Sequence, residues 1–174
     1  CHIGLARRLA LDESARSRRR EVLQLPGRIS SVGSAVMAAG RLVALAAEES
    51  KAATLQRNAS EHDALLHSLG AQEASILPPA VRAQVRVLEE NQKRRATRAQ
   101  RDVLDRALID LLSLYRDVLL VQFKVDRDAG IALVNCEMRS EIEGLARQCS
   151  PEETLGRMDA ITQARNRISV NVSP

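Results

Sequence analysis

The sequence predicts an all-α fold, a helical bundle with long helices, on three observations. Leu, Ala, Arg and Glu dominate the composition, and these side chains lose little rotamer freedom in a helix. Apolar residues recur at three- and four-residue spacing, while no alternating Val/Ile/Thr run flanked by Asn-Gly or Asp-Gly marks a β-hairpin. Glycine and proline number only 8 and 5 in 174 residues, too few to interrupt the chain often, and they fall largely between the periodic segments. The core must be aliphatic, because Tyr115 and Phe123 are the only aromatic residues. Leu, Val, Ile and Ala let helices approach closely, but each contributes less burial than a ring.

The elements follow in order. A short helix through Leu5, Ala6, Leu9 and Ala10 meets Asp12, a favourable N-cap for a second helix over 13–25 that Pro26-Gly27 ends. The next helix should start near Ile29 or Ser30, with Val32, Val36, Ala39, Val43, Ala46 and Ala47 at helical spacing. Gly33 and Gly40 lie seven positions apart on one face; each costs about 1 kcal/mol relative to Ala, which points to a close neighbouring backbone. The pattern turns polar after Glu48 and continues to about Ser68 through Leu55, Ala59, Leu65 and Leu69, with Gly70 as the stop.

A loop over 71–78 leads to Pro79 in the first turn of a helix that meets no breaker before Lys124. Val81, Val85 and Leu88 give it a narrow stripe, residues 90–101 are polar, and Leu104, Leu108, Leu111, Tyr115 and Val118 form an apolar seam with Ala107, Leu114 and Val121 beside it. That layout predicts a helix leaving one packing surface for another, its second half central and buried. After a turn at 126–130, a helix runs from Ala132 or Asn135 to Gln148. Ser150-Pro151-Glu152-Glu153 then opens a last helix carrying Leu155, Met158, Ile161, Thr162, Ala164, Arg165 and Ile168.

The net charge is +4, and its layout matters more than its size. Arg16, Arg18, Arg19 and Arg20 form one basic cluster; Lys93, Arg94, Arg95, Arg98 and Arg101 form another. Such clusters are solvated helix faces or tracks for phosphates. No aromatic residue is interleaved with them to stack bases. Cys1, Cys136 and Cys149 are odd in number and lack CxxC spacing, so they read as small core residues of a reducing cytoplasm. No stretch reaches the roughly 20 apolar residues of a membrane span. The chain opens on Cys1 without a signal peptide, as an excised piece of a longer polypeptide would.

Catalytic constellations are missing from the sequence. It contains no GxxxxGK[ST], GxGxxG or GxSxG. His2, His62 and His67 lack metal-ligand spacing and read as exposed. The adjacent pairs Glu48-Glu49 and Glu89-Glu90 point to different sides of a helix and cannot converge on a proton. Glu152 and Glu153 suit a helix N-terminus. Neither a catalytic site nor a cofactor is expected.

Two ends of the chain carry a family likeness. His2-Ile3-Gly4-Leu5-Ala6-Arg7-Arg8-Leu9-Ala10, followed by Asp12-Glu13-Ser14-Ala15-Arg16, resembles the end of the lid domain of bacterial clamp-loader subunits, where a Gly-x-x-Gly/Arg-x-Ala helix closes the ATPase module. Ala164-Arg165-Asn166-Arg167-Ile168, running into Asn171-Val172-Ser173-Pro174, is similar to the collar signature of the delta-prime family of DNA polymerase III, in which an Asn-x-x-Pro precedes a leucine-rich last helix. By that resemblance residues 1–25 end a lid domain and 26–174 form the helical collar, which stops where the last helix should begin. The slot of an ATP-sensing arginine holds Gly4, with Arg7 and Arg8 about one turn away, as in subunits that do not hydrolyse ATP. Cys1 stands where that family usually has Gly. The family's arginine finger lies upstream of this chain and maps onto no residue here. The middle, about 45–100, carries no motif of the family and is longer than the usual collar.

The resemblance implies a non-catalytic, cytoplasmic piece that assembles with delta and gamma/tau subunits and meets DNA only indirectly, without membrane or small-molecule substrate. The expected interface is the surplus apolar surface of Leu104, Leu108, Leu111, Leu114, Tyr115, Val118 and Val121, unless helices of the same domain cover it. The alternative is a nucleic-acid-binding domain using Lys93, Arg94, Arg95, Arg98 and Arg101. A coiled-coil scaffold ranks last, since the heptad-like run is only about two repeats long.

Overall fold

A computed structural model describes residues 3–71, 77–125 and 130–170. Among them are six α-helices and no strand: α1 (Ile3–Leu11), α2 (Glu13–Gln24), α3 (Val32–Ser68), α4 (Pro79–Gln122), α5 (Arg139–Gln148) and α6 (Pro151–Ser169). The fold is an all-α helical bundle. Cys1, His2, residues 126–129 of the expected turn and Asn171-Val172-Ser173-Pro174 lie outside the described residues. The chain divides into two compact units, Cys1–Val43 with Leu104–Pro174, and Ala44–Val103. We call the first the bundle and the second the hairpin.

Local chemistry sets the bundle's helix ends. The Asp12 carboxylate accepts the amides of Ser14 at 2.9 Å and Ala15 at 3.2 Å, capping α2. These bonds, with the Ser14 hydroxyl foremost, hold its pKa below the ordinary value. Arg16 reaches back to the carbonyls of Leu9 and Ala10 at 2.8 and 2.9 Å, satisfying the end of α1. A 3-10 turn at Pro26–Arg28 ends α2. α3 begins at Val32, later than Ile29 or Ser30. The Ser34 hydroxyl accepts the amides of Ser30 and Ser31, and Ser31 Oγ accepts the Ser34 amide, so residues 30 and 31 serve the cap instead of the helix.

At the other end of the bundle, Ser150 Oγ accepts the Glu153 amide at 3.2 Å and Glu153 accepts the Ser150 amide at 2.8 Å, the capping box the sequence predicts, with Pro151 in the first turn. α4 stops at Gln122, short of Lys124, whose φ of 58° is incompatible with a helix. The core gathers Leu23 of α2, Leu114, Tyr115 and Val118 of α4, Leu133 and Met138 of the connecting segment, and Ile142 and Leu145 of α5. Met158 and Ile161 of α6 pack against it. Arg165 of α6 binds Asp105 of α4 through two hydrogen bonds, at 2.7 and 3.2 Å.

The hairpin is the second half of α3 and the first half of α4. Gly70, at φ +62°, ends α3: its amide bonds His67 O and the Ala71 amide bonds Leu66 O, a Schellman closure. Leu45, Ala46, Ala71 and Val85 are buried, and Val81 and Leu88 are half-buried. Ser50, itself buried, donates to Ala96 O at 3.2 Å, so the two helices meet through small side chains. Residues 72–76 of the loop lie outside the described residues.

Two expectations need correction. Val32, Val36 and Ala39 do not face a core; Val32 is 83% and Val36 66% exposed. Nor does a close backbone explain the glycines: a Cβ at Gly40 would meet nothing within 4 Å, and one at Gly33 only the Ser31 hydroxyl at 3.8 Å.

Candidate functional site

The expected interface seam belongs to the chain's own core. Leu104, Leu108, Leu111, Leu114, Tyr115 and Val118 are all buried, Leu114 and Val118 completely, and Val121 is partly buried against the same cluster. The reason is local: α2, α5, α6 and the segment around Leu133 supply enough apolar surface to cover it. Burial also pushes the Tyr115 phenol up, an effect the nearby Arg157 guanidinium offsets in part. The seam is therefore not a surface open to another chain.

Inside the bundle lies a polar cluster that sequence reasoning missed. Asp117 is fully buried beside Val118. Its Oδ2 accepts the Asn135 amide at 2.7 Å and Asn135 Nδ2 at 2.9 Å; its Oδ1 accepts the Val134 amide at 3.2 Å and Arg116 Nη1 at 2.9 Å. Asn135 in turn accepts from Arg19 Nη2 at 2.6 Å, and Arg19 Nε donates to Asp110 at 2.9 Å. Both carboxylate oxygens are occupied, so the group fixes a non-helical segment and offers no base to a substrate. This explains why α5 starts at Arg139: Asn135 is held in the clamp, and Cys136–Met138 makes a 3-10 turn before the helix begins. The one signal in the sequence is the charged pair Arg116-Asp117 set between Tyr115 and Val118 of the apolar seam.

The second basic cluster sits on the hairpin, where its members part ways. Arg95 donates from Nη1 to Glu61 Oε1 at 2.9 Å and from Nη2 to Oε2, while Arg57 and Gln92 approach the same carboxylate. The guanidinium of Arg95, then that of Arg57, holds the Glu61 pKa down to about 2. Lys93, Arg94 and Arg98 are exposed, and Arg101 is half-buried. Lys93 borders a groove of about 340 Å³ between α3 and α4, with Lys51 on the α3 side. Of the first basic cluster, Arg16 and Arg19 are committed to the helix-end and clamp bonds described above, and Arg18 lies near Asp12 at 3.8 Å.

The remaining chemistry-bearing residues do not converge. Cys149 is buried as expected, but Cys136 is exposed, because it opens the 3-10 turn at the surface. His67 is exposed and His62 half-buried, 3.9 Å from Asp63. No group of three His, Cys, Asp or Glu that could hold a metal occurs among the described residues. Nor is any described helix long and apolar enough to cross a membrane. The opening motif places Gly4 and Arg7 on the exposed side of α1.

No protein-family model, curated protein or solved structure matches this chain. Fold and surfaces define its class: a helical bundle with a long hairpin, carrying an uncovered apolar face and a strip of exposed cations.

Proposed function

We propose that this chain is a non-catalytic helical collar piece of a bacterial clamp loader, of the delta-prime type, that works by packing helix surfaces against neighbouring subunits. The opening and closing motifs support the family, and the all-α bundle is compatible with it. The observation that carries the assembly role is the start of α3. Val32, Val36 and Ala39 share one face, Met37 lies beside them at 75% exposure, and the described residues leave all four uncovered. Burying a Val or Met fully stabilises an interface by roughly 1.5–3 kcal/mol, so this face favours association. Gly33 and Gly40, open in this chain, would let a partner helix approach closely.

On this reading the partners are the delta and gamma/tau subunits, the compartment is the cytoplasm, and no side chain here takes part in bond-making. The test is co-purification with those subunits. The wild-type chain should travel with them, and Val36→Asp should be lost from the complex with its helical circular dichroism unchanged. Retention of Val36→Asp, or failure of the wild type to associate, overturns the proposal.

A further inference from the structure

The hairpin carries a cationic strip that the assembly role leaves unused. Lys51 of α3 and Lys93 of α4 border the same groove, and no residue lining that groove is acidic. Arg94 and Arg98, four positions apart on α4, continue the strip on the exposed side, at about 6 Å along the helix axis. Lys51, Lys93, Arg94 and Arg98 are all exposed, and none forms an ion pair with another described residue. Arg95, in the midst of the run, differs because Glu61 neutralises it from α3. The strip has acidic limits in the sequence, Glu89 and Glu90 before it and Asp102 after it on α4, with Glu48 and Glu49 preceding Lys51 on α3.

We propose that this strip binds the phosphate backbone of double-stranded nucleic acid, sequence-independently, through Lys51, Lys93, Arg94 and Arg98. Three features favour a duplex over other anionic ligands. The hairpin contains no aromatic residue, so it has no platform for the bases of a single strand. The groove is lined by small and polar residues with Leu55 as its single large apolar side chain, so it lacks the cluster of aromatic and apolar residues that holds a protein partner's anchor. Asn91, Thr97 and Gln100 flank the cations, and Leu55 alone falls well short of the continuous apolar face that an interfacial helix inserts into a bilayer. Phosphate contacts of this kind position a protein on the duplex without reading its bases.

The role is separate from subunit assembly, and its test needs no partner. A labelled mixed-sequence DNA duplex is titrated with the full chain by fluorescence anisotropy at several salt concentrations. Neutralising four phosphates gives a slope of log K against log salt of about −3.6, or about 10²-fold weaker binding between roughly 50 and 200 mM salt. Lys93→Ala/Arg98→Ala should flatten that slope by about 1.8. Arg82→Ala/Arg86→Ala removes the same charge from the same helix, beyond Glu89 and Glu90, and should leave the slope unchanged. Both pairs are exposed helical positions where Ala is well tolerated, and circular dichroism checks the fold. Undetectable binding at low salt, equal losses in the two variants, or tighter binding to phosphatidylserine vesicles than to the duplex would each overturn the assignment.

Discussion

The bundle and the hairpin are built from the same aliphatic alphabet but hold themselves together differently. In the bundle, Leu23, Leu114, Val118 and Ile142 are fully or almost fully buried, and Asp117, the one buried carboxylate among the described residues, is saturated with hydrogen bonds. In the hairpin, two helices meet along Ala46, Ser50 and Ala96, and charged links such as Glu61 to Arg95 lie at the solvent edge. A multi-helix core can bury large side chains from several directions, whereas two helices alone leave one side of every contact wet. Apolar packing and one internal polar clamp should therefore govern the bundle, while the most strongly depressed carboxylate, Glu61, ties the hairpin to acid pH.

The sharpest test of that contrast removes the clamp. Asp117→Ala leaves the Val134 and Asn135 amides without their acceptor inside the bundle and the Asn135 side-chain amide with Ser113 Oγ alone, and about 3–5 kcal/mol of stability should be lost in chemical denaturation. If the loss stays under about 1 kcal/mol, the clamp is incidental to the bundle. A smaller effect of opposite sign is expected at Gly40, where an added Cβ meets nothing. Gly40→Ala should raise stability by about 1 kcal/mol, seen as a Tm higher by about 2–4 °C. A lower Tm would reveal a neighbour on that face.

The smallest effect belongs to the hairpin. The folded-state pKa of Glu61 is depressed from 4.5 to about 2, so its contribution is present above the unfolded value and is lost as pH falls through that window. Amide exchange in 44–103 should quicken as pH drops from 4.5 toward 2, after correction for intrinsic rates, and Glu61→Gln should remove the dependence. A bundle that loosens first over the same window would reverse the comparison.

What the sequence revealed follows from how far each interaction reaches. The Asp12 cap, the Ser150 capping box, the Pro79 start and the Gly70 stop involve residues within a turn or two, and each stands where its local pattern places it. The buried half of α4 was equally legible, because apolar residues ring most of its circumference. Periodicity cannot say whether a face has a neighbour, so it reports neither the bare start of α3 nor which of the two readings of the 104–121 seam, interface or the chain's own core, applies. Asp117 with Asn135, and Glu61 with Arg95, pair across 18 and 34 residues, and no local pattern reports such partners. For the same reason the cations of 93–101 read as one patch until the fold separated Arg95 from its neighbours.

The reach of Arg19 has a consequence for the newborn chain. Its acceptors Asp110 and Asn135 lie 91 and 116 residues downstream, beyond the whole of Ala44–Val103. As the ribosome extrudes the polypeptide, α2 waits without its ligands while the intervening segment emerges, whose polar links between its two helices span only 31 to 46 residues. Translation thus hands the later-synthesised segment 44–103 its contacts before α2 acquires those of Arg19.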